Sequence, residues 1–340
     1  MCGIFGFAKS EKVLSAVGEH QLRGIIMDLA CLNETRGKDG TGIALISKSE
    51  LTVLKEAKPV SALIKTKRFR EMIRRINSRT LICLGHTRLA TVGSVHNNHC
   101  HPFVSDDFVG VHNGHFLNRE DLLKKYQKEV QTPVDSEAIF RVLDGENSMP
   151  GVISRLKEMS GDFALGFANL ADPFRLYLVR NDERPLHVAY VKRLEVLFWA
   201  SEQKHLEFTL VRNDLDAKVY ELQSDQLYSA DVRQFNGKSN MTKLPCKIDP
   251  PKWERWHSAT EEDFQPGDQP YLFDFEEMKD FGLLEGSGIT ERSKIPCGGC
   301  QREVEAGKLF FDDSNGEFIC EICSCDYSAF GREQFEMEEK

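Results

Sequence analysis

Met1-Cys2-Gly3-Ile4-Phe5-Gly6 places a cysteine directly behind the initiator. Removal of Met1 would make Cys2 the amino terminus, and a terminal cysteine carries nucleophile and base in one residue. Its thiol can attack an acyl carbon, while its α-amine, with an ordinary pKa of about 7.7 to 8.0, can move protons near neutral pH. Read alone, Cys2 is more often the kind of small apolar residue that a core buries. The decision rests on what the first half of the chain sets beside it.

Two later segments read as parts of one site. The apolar run Leu81-Ile82-Cys83-Leu84 predicts a buried strand, and Gly85-His86-Thr87-Arg88-Leu89-Ala90-Thr91 follows it into a polar loop. A guanidinium at that strand end, on Arg88, can hold a carboxylate through two parallel charge-assisted hydrogen bonds, a geometry lysine does not reproduce. Taken in isolation, Arg88 reads equally as a surface ion pair. The second segment, Phe108-Val109-Gly110-Val111-His112-Asn113-Gly114, predicts a short alternating strand closing in Asn-Gly. Asn-Gly is first a hairpin-turn signal. A side-chain amide followed by an unobstructed glycine N–H also aims two donors at one developing oxyanion.

Further strings stand in the same order: Arg36-Gly37-Lys38-Asp39-Gly40-Thr41-Gly42, His101-Pro102 and Val134-Asp135-Ser136-Glu137, then Gly161-Asp162-Phe163-Ala164, Arg180 to Pro185 and Ala200-Ser201-Glu202. With Cys2-Gly3-Ile4 and the two segments above, the first two-thirds of the chain resembles a class II glutamine amidotransferase of the N-terminal-nucleophile hydrolase superfamily. It is most similar to the glutaminase half of glucosamine-6-phosphate synthase. The resemblance implies an α+β fold, a four-layer αββα sandwich with largely antiparallel sheets. It implies Cys2 as nucleophile with its freed α-amine as base, and Asn113 and Gly114 as the oxyanion hole. Arg88 would bind the α-carboxylate of L-glutamine and Asp135 its α-ammonium. Thr91 and His86 would support them, His86 by packing and hydrogen bonding behind the arginine. Arg36 and Asp39 match a loop that closes over bound substrate in the family, or else form an ordinary glycine-rich turn with solvated charges. Leu89 stands where the glucosamine-synthase pattern has tryptophan, Val92 where it often has histidine, and Gly93 to Cys100 differs in wording and length. Those departures touch the pocket wall and put in question how the domain addresses an acceptor.

Composition bounds the class independently. At 340 residues, 41% hydrophobic and 29% charged, the chain can bury a full core. A net charge of −9 argues against a nucleic-acid coat. No basic lead, signal-like start or apolar run of about 20 residues is visible, so neither secretion nor a membrane is expected. The ten cysteines are expected in a reducing cytoplasm. Lys65 to Arg79 is the local exception in charge, with Phe69, Met72, Ile73 and Ile76 at helical spacing, and predicts an amphipathic helix with a basic outer face. A solvated face is the better reading over a docking surface.

Leu117 to Val130 and Ser136 to Leu143 predict helices, the first capped by Asn118 and the second closed near Gly145. Phe163 to Phe167, Arg175 to Val179, Val188 to Val191 and Val196 to Trp199 predict strands. The domain reading is an amidotransferase domain over 1–240, a proline-rich connector partly packed on it over 241–290, a zinc ribbon over 291–330 and an acidic tail over 331–340. Within the ribbon, Cys297-Gly298-Gly299-Cys300 and Cys320-Glu321-Ile322-Cys323 are two CxxC knuckles, read as four thiolates around one structural Zn2+, with Cys325 spare. Four sulfurs leave no position for a substrate water, so the metal would supply folding energy, and glutamine hydrolysis would require no cofactor. Such a ribbon docks proteins or nucleic acids, and the acidic tail favours protein. With no room for an acceptor-modifying domain, the reading is a glutaminase subunit that delivers ammonia to a synthase on a separate chain. The alternatives are an N-terminal-nucleophile amidase on another γ-glutamyl or acyl amide, and a non-enzymatic binding module working through the ribbon.

Overall fold

The computed structural model describes residues 2–90, 94–181 and 184–249, together with the strand segments 272–273, 294–296, 303–305, 309–312 and 317–320. The chain divides into two compact units, 1–252 and 253–340. In the first, the strands are β1 (Gly3–Lys9), β2 (Gly40–Ile46), β3 (Leu51–Glu56), β4 (Ile82–Arg88), β5 (Phe103–Val104), β6 (Phe108–Phe116), β7 (Gly161–Asn169), β8 (Arg175–Arg180), β9 (His187–Val191), β10 (Val196–Ala200), β11 (Val219–Glu221), β12 (Gln226–Asp231) and β13 (Thr242–Pro245). The helices are α1 (Ala16–Asn33), α2 (Val60–Leu63), α3 (Lys67–Arg74), α4 (Arg119–Tyr126), α5 (Asp135–Leu143), α6 (Met149–Leu156) and α7 (Gln203–Arg212).

Two antiparallel sheets result. The first runs β11-β9-β10-β1-β4-β2-β3 and the second β13-β12-β8-β7-β6-β5. Three apolar clusters explain why they stack. Ile4, Ala44, Leu84 and Trp199 from the first sheet meet Val109, Val111, Ala164 and Leu178 from the second in a shared middle layer. Phe5, Phe7 and Phe198 on the outer face of the first sheet meet Leu22, Ile25 and Leu29 of α1, Phe69 of α3 and Leu206 of α7. Phe108, Phe163 and Phe167 on the outer face of the second meet Leu122 of α4, Phe140 of α5 and Val152 of α6. The order helix, sheet, sheet, helix therefore follows from strands that are buried on both faces and read as near-continuous apolar runs. Trp199 wedges between the sheets. At Gly166 of β7 a Cβ would lie 2.6 Å from its ring, so a glycine is required there.

Most expected elements are present, with shifts that have local causes. α5 and the four strands after residue 160 fall where the periodicity predicts them. α3 is shorter than the basic segment, and its apolar positions Phe69, Met72 and Ile73 are buried, with Ile76 just beyond it also buried. Asn118 precedes α4 but does not cap it: its Nδ2 donates to Glu158 O at 2.8 Å and its Oδ1 accepts from Ser160 N at 2.8 Å. Asn113-Gly114 makes no hairpin; β6 runs through both residues to Phe116. Beyond residue 240, β13 pairs with β12, and Cys246 and Ile248 are buried in the same core as α5.

In the second unit β14 (Leu272–Phe273), β17 (Leu309–Asp312) and β18 (Glu317–Cys320) form a small antiparallel sheet, while β15 (Lys294–Pro296) and β16 (Glu303–Glu305) pair separately. Cys297, Cys300 and Cys323 lie outside the described residues, and Cys320 is described only as the last backbone position of β18. The zinc expectation therefore falls outside them. Among the described residues, no helix is long and apolar enough to cross a membrane.

Candidate active site

The site grows from one end of the stacked sheets. β1 and β4 are antiparallel neighbours with Gly3 opposite Thr87, so the residues just beyond this pair, Cys2 and Arg88, share that end. The Cys2 thiol donates to Leu89 O at 3.4 Å and accepts from Leu89 N at 3.3 Å. Burial pushes this thiol above its ordinary range, against the pull of the Leu89 N–H and the Arg88 and Arg36 charges. A neutral thiol needs a base before it can attack.

The segment around 36–39 clasps the same end. Arg36 Nε donates to Cys2 O at 2.9 Å while its guanidinium pairs with Glu202. Asp39 N donates to Arg88 O at 2.8 Å, and Asp39 Oδ2 accepts from Ala90 N at 2.7 Å. Arg88 is buried, and its Nη1 donates to Ser94 O at 3.0 Å. On the other side of β1, Ile4 N donates to Ser201 Oγ at 3.0 Å and Ser201 N to Ile4 O at 2.9 Å. The chain from Cys2 to Ile4 is thus held from both flanks.

His86 joins the two sheets. Its Nε2 lies 3.1 Å from His112 O; because a carbonyl only accepts, the proton sits on Nε2. Burial brings its pKa down to about 3, so the ring is neutral. It stacks on His101 with ring centroids 3.9 Å apart. The contact fixes the strand of Arg88 against the peptide that leads into Asn113. His112 is ordered in turn, Nδ1 accepting from Ser136 Oγ at 2.9 Å and Nε2 facing Asp162 O at 3.3 Å.

Asn113 is 2% exposed, yet its Nδ2 has no hydrogen-bond partner among the described residues. An orphaned buried amide costs about 1–3 kcal/mol, and folded proteins keep few of them. Gly114 follows at φ +141°, where a Cβ would meet Asp162 O at 1.7 Å, so only glycine fits. Asp135 opens α5; its Oδ1 accepts from Ser136 N at 2.8 Å and its Oδ2 from Phe116 N at 2.7 Å, two residues past Gly114.

Cys2, Arg36, Asp39 and Arg88 are joined by direct hydrogen bonds or through residues 89–90, and His86, Asn113, Gly114 and Asp135 by contacts along β6. Thr91 lies outside the described residues. His86 hydrogen-bonds to His112 O of β6. Asp162, Arg184, Ser201 and Glu202 lie within the strings shared with the family, and residue type alone signals no role for them. A sulfur, an unpartnered amide donor, a cation and an anion gathered at one end suit an amino-acid head group and an acyl carbon.

The sequence model of the family described as glutamine amidotransferases class-II matches residues 13–216, more than half of the chain. The chain belongs to the class II glutamine amidotransferases. Because the matched interval begins after Cys2, the geometry around that residue is an independent observation. Among curated relatives of this amidotransferase, the glutamine–fructose-6-phosphate aminotransferase (isomerizing) of Bacillus cereus is 30% identical over 190 residues, 53% of this chain and 29% of that one. The 7-cyano-7-deazaguanine synthase of Saccharolobus solfataricus is 28% identical over 178 residues, 51% of this chain and 38% of that one. The amidotransferase thus spans well under half the length of these relatives. The glutamine phosphoribosylpyrophosphate amidotransferase of B. subtilis superposes with a TM-score of 0.54 at 16% identity, covering 73% of this chain and 50% of that one, a likeness of fold.

Proposed function

We propose that this amidotransferase hydrolyses L-glutamine to glutamate and ammonia through a thioester on Cys2, with Met1 removed. The orphaned donor of Asn113 carries the reading: a buried amide without a partner among the described residues, beside a glycine that no other residue can replace, is what an oxyanion would satisfy. Arg88 grips the α-carboxylate and Asp135 the α-ammonium, placing the δ-carbonyl at the sulfur. The α-amine of Cys2 takes the thiol proton and the thiolate adds to the δ-carbon. Asn113 Nδ2 and the Gly114 N–H receive the charge on oxygen. Collapse expels ammonia with the proton returned by the ammonium, leaving the thioester. Water, deprotonated by the same amine, then releases glutamate and restores the thiol. Arg36 and Asp39 close the site against solvent.

The ammonia goes to an acceptor held by a synthase on a separate chain. Support comes from the relatives, in which the shared region is only 29% and 38% of a named aminotransferase and a named synthase. A zinc ion held by Cys297, Cys300, Cys320 and Cys323 completes the docking module. The first cysteine pair lies in sequence between the paired strands β15 and β16, and the second starts at the end of β18, a framework suited to two knuckles. Four thiolates are a structural zinc donor set, and the metal would supply folding energy there. Cys31, Cys83, Cys100 and Cys246, all free thiols, support a reducing compartment such as the cytoplasm.

Glutamate release from glutamine by the purified full chain tests the proposal, with Cys2→Ala lowering the rate by at least about a thousandfold. Equal rates in the two proteins would end it. Metal analysis showing no bound zinc would remove the ribbon from the account, and co-purification of a synthase only when the cysteine pairs are intact would support it.

A further inference from the structure

Asn113 and Gly114 can stabilise a developing charge only if they are already aimed, and one buried residue touches the strand on both sides of them. Asp162 of β7 lies opposite His115 of β6 and is 4% exposed. Its main-chain oxygen faces His112 Nε2 at 3.3 Å, one residue before the pair. Its Oδ1 accepts from His115 N at 2.9 Å and from His115 Nδ1 at 3.1 Å, one residue after the pair. The same main-chain oxygen occupies the space a Gly114 Cβ would need.

The clamp is itself braced by one loop. Asn181, also buried, donates from Nδ2 to Gly161 O at 2.7 Å and accepts at Oδ1 from Phe163 N at 2.9 Å, holding the backbone on either side of Asp162. Arg184, three residues on, pairs with Asp162 Oδ2. Burial would raise the Asp162 pKa, but His115 and Arg184 hold it down to about 2, so the carboxylate stays charged throughout the neutral range.

We propose that Asp162 is the positioning residue of the oxyanion-binding pair, gripping β6 at His112 and His115 so that the Asn113 amide and the Gly114 N–H stay fixed, with Arg184 and Asn181 locking Asp162 in turn. This rests on the glutaminase reading for its kinetic consequence. Donors that drift by about an ångström lose on the order of a hundredfold in rate. Binding of the glutamine head group belongs to Arg88 and Asp135, so the loss falls on kcat.

The test pairs kinetics with hydrogen exchange in the full chain. Asp162→Asn is expected to lower kcat for glutamine hydrolysis by about tenfold to a hundredfold with KM little changed. Amide exchange over 112–116 should accelerate by about tenfold or more, with the far end of β6 and β7 unaffected. Arg184→Gln should give a smaller loss and Arg184→Lys should recover most of it, which covers the case in which Asp162→Asn fails to fold. Unchanged kcat and unchanged exchange in Asp162→Asn and Arg184→Gln would overturn the clamp, as would a loss seen only in KM. A wild-type chain that releases no glutamate would overturn the glutaminase reading instead, and exchange over 112–116 would still decide the clamp.

Discussion

The two ends of β1 are both polar and both crowded, and they are finished differently. At the far end Lys9 is fully buried, its ammonium on Ser10 O and on Lys12 O at 3.1 Å. Ser10 Oγ donates to Glu195 at 2.7 Å, and Ser78 N and Oγ both donate to Glu19 at 2.8 Å. A cavity of about 540 Å³ opens there, yet its charged lining is largely spent in ion pairs such as Lys48 with Glu11 and Arg75 with Glu50. At the near end Asn113 Nδ2, Asn33 Oδ1, His86 Nδ1 and both ring nitrogens of His101 have no partner among the described residues. Among the described residues the near end leaves more buried donors and acceptors without a partner than the far end, where Tyr190 Oη, opposite Leu197 and next to Ala8, is one such atom. A cavity is therefore a weaker guide to chemistry here than an unsatisfied buried amide.

The largest expected break in this contrast is Asn113→Ala. It removes the orphaned donor, and kcat for glutamine hydrolysis should fall by about a hundredfold to a thousandfold with KM changed far less. A fall confined to KM would move Asn113 from the reacting oxygen to the head group. Arg88→Lys comes next. The charge survives but the two-pronged geometry does not, so kcat/KM should drop by about tenfold to a hundredfold, chiefly through KM.

The smallest effect concerns acid. Burial lowers the pKa of His86, His101 and His112, in each case as the leading cause. The unfolded chain, with histidines near 6.5, binds those protons first. The stability these neutral rings contribute is complete above pH 6.5 and falls as the pH drops below it, by up to about 1.4 kcal/mol per pH unit for each ring. His115 runs the other way. Its pKa is raised by hydrogen bonding to Asp162, so its contribution is complete below 6.5 and fades only as pH rises through the higher folded value. Urea unfolding between pH 6.5 and 5 therefore reads these three rings together with His205, whose pKa burial brings down to about 4, and a flat profile would mean that these rings are as well solvated as any surface histidine.

The same contrast marks what the sequence could and could not disclose. Strands buried on both faces read clearly, because Leu81 to Leu84 and Val196 to Trp199 are apolar without interruption. Cys2, Arg88 and Asn113 stand out as candidates because each is a residue type suited to such chemistry beside an apolar run, whereas Asp135 is suggested only by the family resemblance. The course of β6 was not: Asn113-Gly114 carries a turn signal, and only the packing of Asp162 against Gly114 explains why the strand continues. Asn118 misled for a related reason, its side chain being drawn to the 158–160 backbone across 40 residues of sequence. Asp162 and Arg184 were invisible as a pair, since nothing local links two charges 22 positions apart.

On the proposed mechanism Cys2 is both the terminal residue and the attacking nucleophile. Mass spectrometry of the acid-quenched protein during turnover tests it most directly. The expected species is an amino-terminal peptide that begins at Cys2 and carries the mass of glutamine less ammonia, absent from Cys2→Ala. Turnover with Met1 still attached, or an acyl group on any other residue, would contradict it.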